Sequence, residues 1–567
     1  MDEAAAVDHG PWPMRALLLL ALGAGFGLAI HFVTSGSEEW QWTDNPLRLG
    51  AAAALAAGGM VFGFSLERVR PIWSVLFALG TGLVIGFVTY WNGAPDSWSA
   101  GEGWQLTAAL LAIVIAVPLF QASRDAGRWN LDYSAVHGHI LTNIALWFAA
   151  WGFVLITGLL LLLLSQLFQL IGISLLRELL DTDWFPWVLI GGALGAAIGL
   201  LRDRDRIVGT LQRVATAILS VLAPILAAGL VIFVVALPFT GLAPLWEQTS
   251  ATTPILLGCI FGAVILINAV IGSGAEDEEA PPRILRWAAA ALAVVVLPLA
   301  LVAAVSTGKR IAQHGFTPDR LWAAVFVAIT VAGAAGYLFA VVRGRVGWPA
   351  MLRAVNLRLA IGVCLVALFL ALPIVSFGAI STRDQLARLE ARKVTPDRFD
   401  WAAMRFDFGP SGREALERLS ASPDLVMRQR AREALRATTR WAMMPRVPPP
   451  PSRSSATPVR IRADGGAAVP APLADMVART SHCQDDPCRL VFVSPRRAVV
   501  LSSDCRFCPV YLFDARPDGT WVERLASSRM ATPTIPVPPA ASARVEVRKV
   551  EREQLFIDGQ PVGAPFE

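Results

Sequence analysis

The first 380 or so residues are broken into apolar blocks, each about as long as a helix that crosses a bilayer, and no other feature restricts the fold so strongly. A hydrocarbon core roughly 30 Å thick needs about 20 apolar helical residues. Windows of that width find about eleven blocks: 14–34, 49–66, 71–91, 104–121, 144–167, 185–201, 215–240, 252–271, 287–306, 321–342 and 359–379. Composition agrees. Of 567 residues, 55% are hydrophobic and 16% charged, with a mean hydropathy of +0.53. A soluble domain has roughly 45–50% apolar and about 25% charged residues, so an ordinary soluble enzyme is excluded. The first block is too long for a signal-peptide core and lacks a clear small-residue cleavage site, so it reads as a retained span.

A net charge of +5 and a pI near 9.1 do not point to nucleic acid, because the arginines lie between apolar blocks instead of along one face or tail. One set of alternate loops holds Arg15, Arg68, Arg70, Arg124, Arg128, Arg202, Arg204, Arg206, Arg213, Arg283, Arg286, Arg343, Arg345, Arg353 and Arg358. The opposite set holds only Arg48, Arg177, Lys309, Arg310 and Arg320. Cationic loops stay on the cytoplasmic side, which puts the N-terminus inside and, with an odd number of spans, the C-terminal region outside. The opposite loops are acidic and rich in Trp (Glu38, Glu39, Trp40, Trp42, Asp96, Trp98, Trp104), as interfacial anchors are.

Ion-coupled transport normally needs ionisable residues within spans, and the central stretches hold essentially none. Asn143, Gln166, Gln169 and Asn268 are the notable polar residues at depth, suited to helix-to-helix hydrogen bonds. Pro118, Pro238, Pro298 and Pro373 fall late in spans, where they would kink helices. Gly191, Gly192, Gly195 and Gly199 permit close helix contact in the sixth span.

Two loops carry site candidates. In Asp132 to His139, His137 and His139 are weak metal candidates, together with His482 near the C-terminal cysteines. Two residues apart, His137 and His139 would diverge by about 200° on a helix, so only a strand or turn would let them share a metal. In the segment His314 to Arg320, Thr317, Pro318 and Asp319 read as N-cap, first helical position and first-turn acid. Lys309, Arg310, His314 and Arg320 make this loop a candidate contact for an anionic lipid or a protein on the outer face.

The stretch Leu167 to Ile173, then Leu176 to Leu180 and Trp184-Phe185, together with Gly315 to Trp322 and Asp400 to Asp407, resembles the bacterial polytopic membrane family called domain of unknown function 4153. The likeness covers roughly residues 100 to 440. It implies a bacterial inner-membrane protein and brings no activity or catalytic residues with it.

Beyond the last span, Thr382 to Lys393 and Gly412 to Arg440 read as two to four short helices. Residues 445–458 are a proline-rich, extended spacer. Candidate strands follow at Arg489 to Val493, Ala498 to Ser502, Val510 to Asp514, Trp521 to Leu525, Val545 to Val550 and Gln554 to Ile557. This region holds Cys483, Cys488, Cys505 and Cys508, a pattern that suits two disulfides, a zinc site or a redox-active Cys505/Cys508 pair. An oxidising periplasm favours disulfides.

The fold expected is therefore an α-helical polytopic membrane protein of about eleven spans (residues 1–380), an extramembrane helical segment (381–444), a linker (445–458) and a small β-rich domain (459–567). No HExxH, GxSxG, Walker or dinucleotide motif occurs in a suitable context, so no catalytic residue and no cofactor is expected. The leading expectation is a non-enzymatic inner-membrane protein whose outer domain binds an envelope protein or polymer. The alternative is a transporter or lipid flippase. Membrane lipids are partners in both cases, and nucleic acid in neither.

Overall fold

The computed structural model describes residues 12, 14–35, 41–94, 98, 100–127, 131–202, 205–241, 252–275, 280–443, 461–463, 468–479, 488–501, 511–516, 519–525, 553–557 and 560–566. The chain forms two compact units, Met1–Met444 and Pro445–Glu567.

In the first unit the apolar blocks become α1 (Arg15–Thr34), α2 (Pro46–Ser65), α3 (Pro71–Asn92), α4 (Ala100–Ala126) and α5 (Tyr133–Leu170). The short α6 (Leu175–Leu180) leads to α7 (Phe185–Arg202), α8 (Asp205–Thr240), α9 (Thr252–Ile271), α10 (Arg283–His314), α11 (Pro318–Gly344) and α12 (Trp348–Ala371). Among the described residues there are 10 stretches long and apolar enough to cross a membrane. The last, 54 residues long, is α11 and α12 joined by a tight turn at Arg345–Gly347, where Arg345 takes a left-handed φ of 47°. Counted as separate helices, the spans among the described residues number eleven.

Local signals start several of these helices. Asn45 caps α2 by accepting from the Leu47 and Arg48 amides, with Pro46 at the first helical position. Thr317 caps α11 through the Arg320 amide, with Pro318 and Asp319 in the first turn, as the sequence indicates. Asp132 caps α5 through the Ala135 amide, so the segment containing His137 and His139 is the start of a helix and not a loop. Pro118, Pro238 and Pro298 lie inside α4, α8 and α10, as does Pro224 in α8. Pro373 differs: α12 has already ended at Leu372, so this proline stops a helix instead of kinking one.

The spans form two sub-bundles. Leu19, Val61, Phe64, Ala78, Val117, Leu146 and Ile198 make the core that joins α1 to α5 and α7. Leu230, Ile267, Leu292, Leu299, Tyr337 and Leu352 belong to the core of α8 to α12. A smaller cluster of Ile85, Val88, Ala109, Trp322 and Ala371 seams the two. The closest pairing is antiparallel α1 against α7: a Cβ added at Gly195 would overlap the Leu19 carbonyl, and one added at Gly23 would overlap the Gly191 carbonyl. Lipid supplies no hydrophobic drive between helices, so such backbone approach takes its place.

Four short helices, α13 (Phe377–Glu390), α14 (Trp401–Phe406), α15 (Gly409–Leu419) and α16 (Leu425–Arg436), with one turn of α17 (Arg440–Met443), follow the last span. They bury their own core of Leu389, Phe399, Trp401, Met404, Phe408 and Leu416. Ser376, Asp400 and Asp424 cap α13, α14 and α16.

In the second unit, β1 (Ile461–Ala463), β2 (Cys488–Ser494), β3 (Arg497–Leu501), β4 (Tyr511–Ala515) and β5 (Trp521–Leu525) form one sheet in that order. β1 runs parallel to β2 and the rest is an antiparallel meander. A helix, α18 (Ala471–Arg479), joins Leu473 and Val477 to Leu490, Ala498, Phe513 and Trp521 in one core. The sequence indicates neither β1 nor α18. β6 (Glu553–Ile557) and β7 (Gln560–Phe566) make a separate hairpin. The strand expected at Val545 to Val550 lies outside the described residues.

Candidate functional site

Between α2, α4 and α5 the first sub-bundle leaves a groove with a volume of about 740 Å³, within the range of roughly 300–1,000 Å³ typical of ligand pockets. Ala53, Ala56 and Ala57 keep the α2 wall thin. Leu106, Leu110, Ile113, Val114, Val117 and Pro118 form the α4 wall, and Ile140, Ile144, Trp147 and Phe148 the α5 wall. Val114 and Phe148 are 68% and 72% exposed, so the groove opens sideways, toward lipid. From Leu49 to Phe64 along α2 it runs about 22 Å at the helical rise of about 1.5 Å per residue.

One polar side chain with hydrogen-bonding strength lies at its Phe64 end. Asn143 lines the groove and pairs with Gln121 in both directions: Asn143 Nδ2 donates to Gln121 Oε1 at 2.8 Å, and Gln121 Nε2 donates to Asn143 Oδ1 at 3.3 Å. Gln121 is fully buried, and its Nε2 also donates to the Phe64 carbonyl at 2.7 Å.

Behind that pair sits a charged cluster built around the end of α2. The last carbonyls of a helix lack internal partners and carry partial negative charge. The Phe64 carbonyl accepts from Arg202, and the Ser65 carbonyl from Arg124 and from Ser74 Oγ at 2.7 Å. Arg15 pairs with Glu67, and Arg202 Nε lies 3.8 Å from the same carboxylate. Arg124 pairs with Asp125 at 2.6 Å, and Asp125 meets His139 Nε2 at 3.1 Å. Arg15 and Arg124 are buried, whereas Arg68 and Arg70 are exposed in the α2–α3 loop that continues from Phe64.

His137 and His139 take different partners. The His137 ring lies 3.4 Å from Tyr133 Oη, one turn away, while His139 faces Asp125. The helix thus holds them apart, and no group of three or more His, Cys, Asp or Glu among the described residues could hold a metal ion.

Lys309 and Arg310 are exposed near the end of α10. The neighbouring loop is held by the chain's own extramembrane helices. The His314 carbonyl accepts from Arg320 at 3.2 Å and Gln385 at 2.9 Å, and the Phe316 amide donates to Asp384 at 2.7 Å. Arg388 reaches the Gln313 carbonyl at 2.7 Å, and Arg320 the Gly315 carbonyl at 2.9 Å. A small cavity of about 50 Å³ lies beside this junction, lined among others by Glu102, Trp322, Phe377 and Asp407.

Cys488 opens β2; Cys483, Cys505, Cys508 and His482 lie outside the described residues. Cys259 and Cys364 are half-buried free thiols in α9 and α12.

The sequence reading singles out Asn143 but not Gln121, nor the way Arg15, Arg124 and Arg202 converge. A glutamine inside an apolar block was the available signal. No family model, curated protein or solved structure matches the chain.

Proposed function

We propose that this chain is a non-enzymatic, lipid-handling protein of a bacterial inner membrane, which seats the hydrocarbon of a membrane lipid in the groove between α2, α4 and α5. The groove itself carries the reading: it is long, lined almost wholly by apolar side chains and open toward lipid, with the Asn143 amide at its Phe64 end and Thr89, Trp98 and Trp147 bearing the other N–H or O–H groups on its wall. In a bilayer the hydrocarbon chains that can enter such a groove belong to lipids. The inner-membrane setting rests on the resemblance described above, and the inward N-terminus on the uneven distribution of arginine among the loops. The C-terminal unit would then face the periplasm, with Cys483, Cys488, Cys505 and Cys508 in disulfides, and offer a surface to an envelope protein or polymer.

Native mass spectrometry of the purified full-length chain tests the groove. Ala56→Trp projects a large ring into it from an exposed position. It is expected to abolish co-purifying lipid, whereas Leu83→Trp, on the 70% exposed face of α3, leaves that lipid in place. Equal lipid retention by the two variants would refute the reading.

A further inference from the structure

Resting on the lipid reading above, we propose that the occupant is an anionic diacyl phospholipid, its ester carbonyl on the Asn143 amide and its headgroup facing Arg68. A carboxamide has two N–H donors. The pair with Gln121 uses one N–H of Asn143, and the other has no partner among the described residues although Asn143 is half-buried on the groove wall. Gln121 cannot turn away to release the pair, because it is fully buried and its amide also holds the Phe64 carbonyl. The free N–H is thus fixed in one place, at hydrocarbon depth, where an unpaired donor is costly.

An acceptor at the head of a hydrocarbon chain satisfies it. The ester carbonyl of a diacyl lipid is such an acceptor; a polyprenyl chain has no carbonyl there.

Charge selects the headgroup. Around this end of the groove Arg15, Arg68, Arg70, Arg124 and Arg202 outnumber Glu67 and Asp125. Arg15, Arg124 and Arg202 are committed to those carboxylates and to the end of α2. Arg68 is exposed, with its guanidinium carbon 5.1 Å from the centre of the Trp12 ring. It stands four residues past Phe64, which lines the Asn143 end of the groove, and an arginine binds a net anionic headgroup more strongly than a zwitterionic one.

The test places the full-length chain in nanodiscs of phosphatidylcholine and phosphatidylglycerol with identical acyl chains, and reads retained lipid by native mass spectrometry. Wild type is expected to enrich phosphatidylglycerol. Asn143→Leu is expected to lower its retention about tenfold, the order of one hydrogen bond to a buried amide. Arg68→Gln is expected to remove the preference between the two lipids while total lipid stays constant. Equal retention by wild type, or unchanged retention in Asn143→Leu while Ala56→Trp abolishes it, overturns the assignment but leaves the groove reading intact. Lipid retained in Ala56→Trp overturns the groove reading itself. A measurement on wild type guards against a variant that fails to fold. Phosphatidylglycerol with a diazirine beside its ester should label the Ile140 to Ile144 segment, and labelling elsewhere, or displacement by a polyprenyl phosphate at lower concentration, overturns the assignment.

Discussion

Three arginines close helices that are not their own. Arg124 and Arg202 bind the last carbonyls of α2, and Arg353 binds the Ile271 and Gly272 carbonyls at the end of α9. Arg124→Met would leave the Ser65 carbonyl to Ser74 Oγ alone and the Asp125 carboxylate to His139 alone. Losing buried hydrogen bonds of this kind costs about 1–3 kcal/mol, so the full-length variant in detergent should show a lowered unfolding midpoint, and an unchanged midpoint would show the arginine is not holding α2. The extramembrane helices offer a pH test. Burial raises the Asp407 carboxyl above the usual carboxylate range despite its hydrogen bond to Arg440. The folded state therefore holds this proton more tightly than the unfolded chain. That contribution is full below the ordinary value near about 4 and is lost as pH rises through the higher folded value. Asp407→Asn should remove that part of the fall in stability, measured as the pH dependence of thermal unfolding; a pH profile identical to wild type would contradict it. The arginines were countable in the sequence as orientation signals, but their partners were not. Arg202 and Phe64 are 138 positions apart, and nothing local in either segment points to the other.

At the scale of elements, α1 and α7 are held by what their glycines lack. Because a Cβ at Gly195 would enter the Leu19 backbone, Gly195→Leu must push the two helices apart and forfeit their contact. A loss of about 1–3 kcal/mol or more is expected from such overpacking, visible as a lower thermal midpoint. Gly209→Leu, where a Cβ meets nothing, is the matched control and should be silent. The glycines of α7 stood out in the sequence, yet their partner could not be read there, since Gly23 and Gly27 lie in a helix five spans earlier. Span positions were legible because hydropathy senses the bilayer directly. Helix ends were less so: α5 begins at Tyr133 and α10 ends at His314, because polar turns continue a helix beyond the apolar window. The groove was illegible altogether, as it arises from small residues of α2 facing α4 and α5.

For the whole molecule, the eleven spans among the described residues, taken with the inward N-terminus proposed above, predict an outward C-terminus. Paired reporters fused at Glu567 should therefore be active in the periplasmic form and silent in the cytoplasmic form, and the reverse result would invert the orientation. The fold class was legible in full, a helical membrane body followed by short helices and a small β-rich unit, while the internal arrangement of that unit was not. β1 is only three residues long and gains its place solely by pairing with β2, a contact that local periodicity cannot reveal. The arginine-closed helix ends also bear on how the chain is made. Synthesis delivers α2 long before Arg202, and α9 82 positions before Arg353, so each helix enters the bilayer with bare terminal carbonyls. Those carbonyls must wait, hydrated or shielded by the insertion machinery, until a later span arrives. The order of insertion thereby sets when each half of the bundle can become stable, and a truncation before Gln121, which removes Gln121, Arg124 and Arg202 together, should leave α2 open to quality-control proteases.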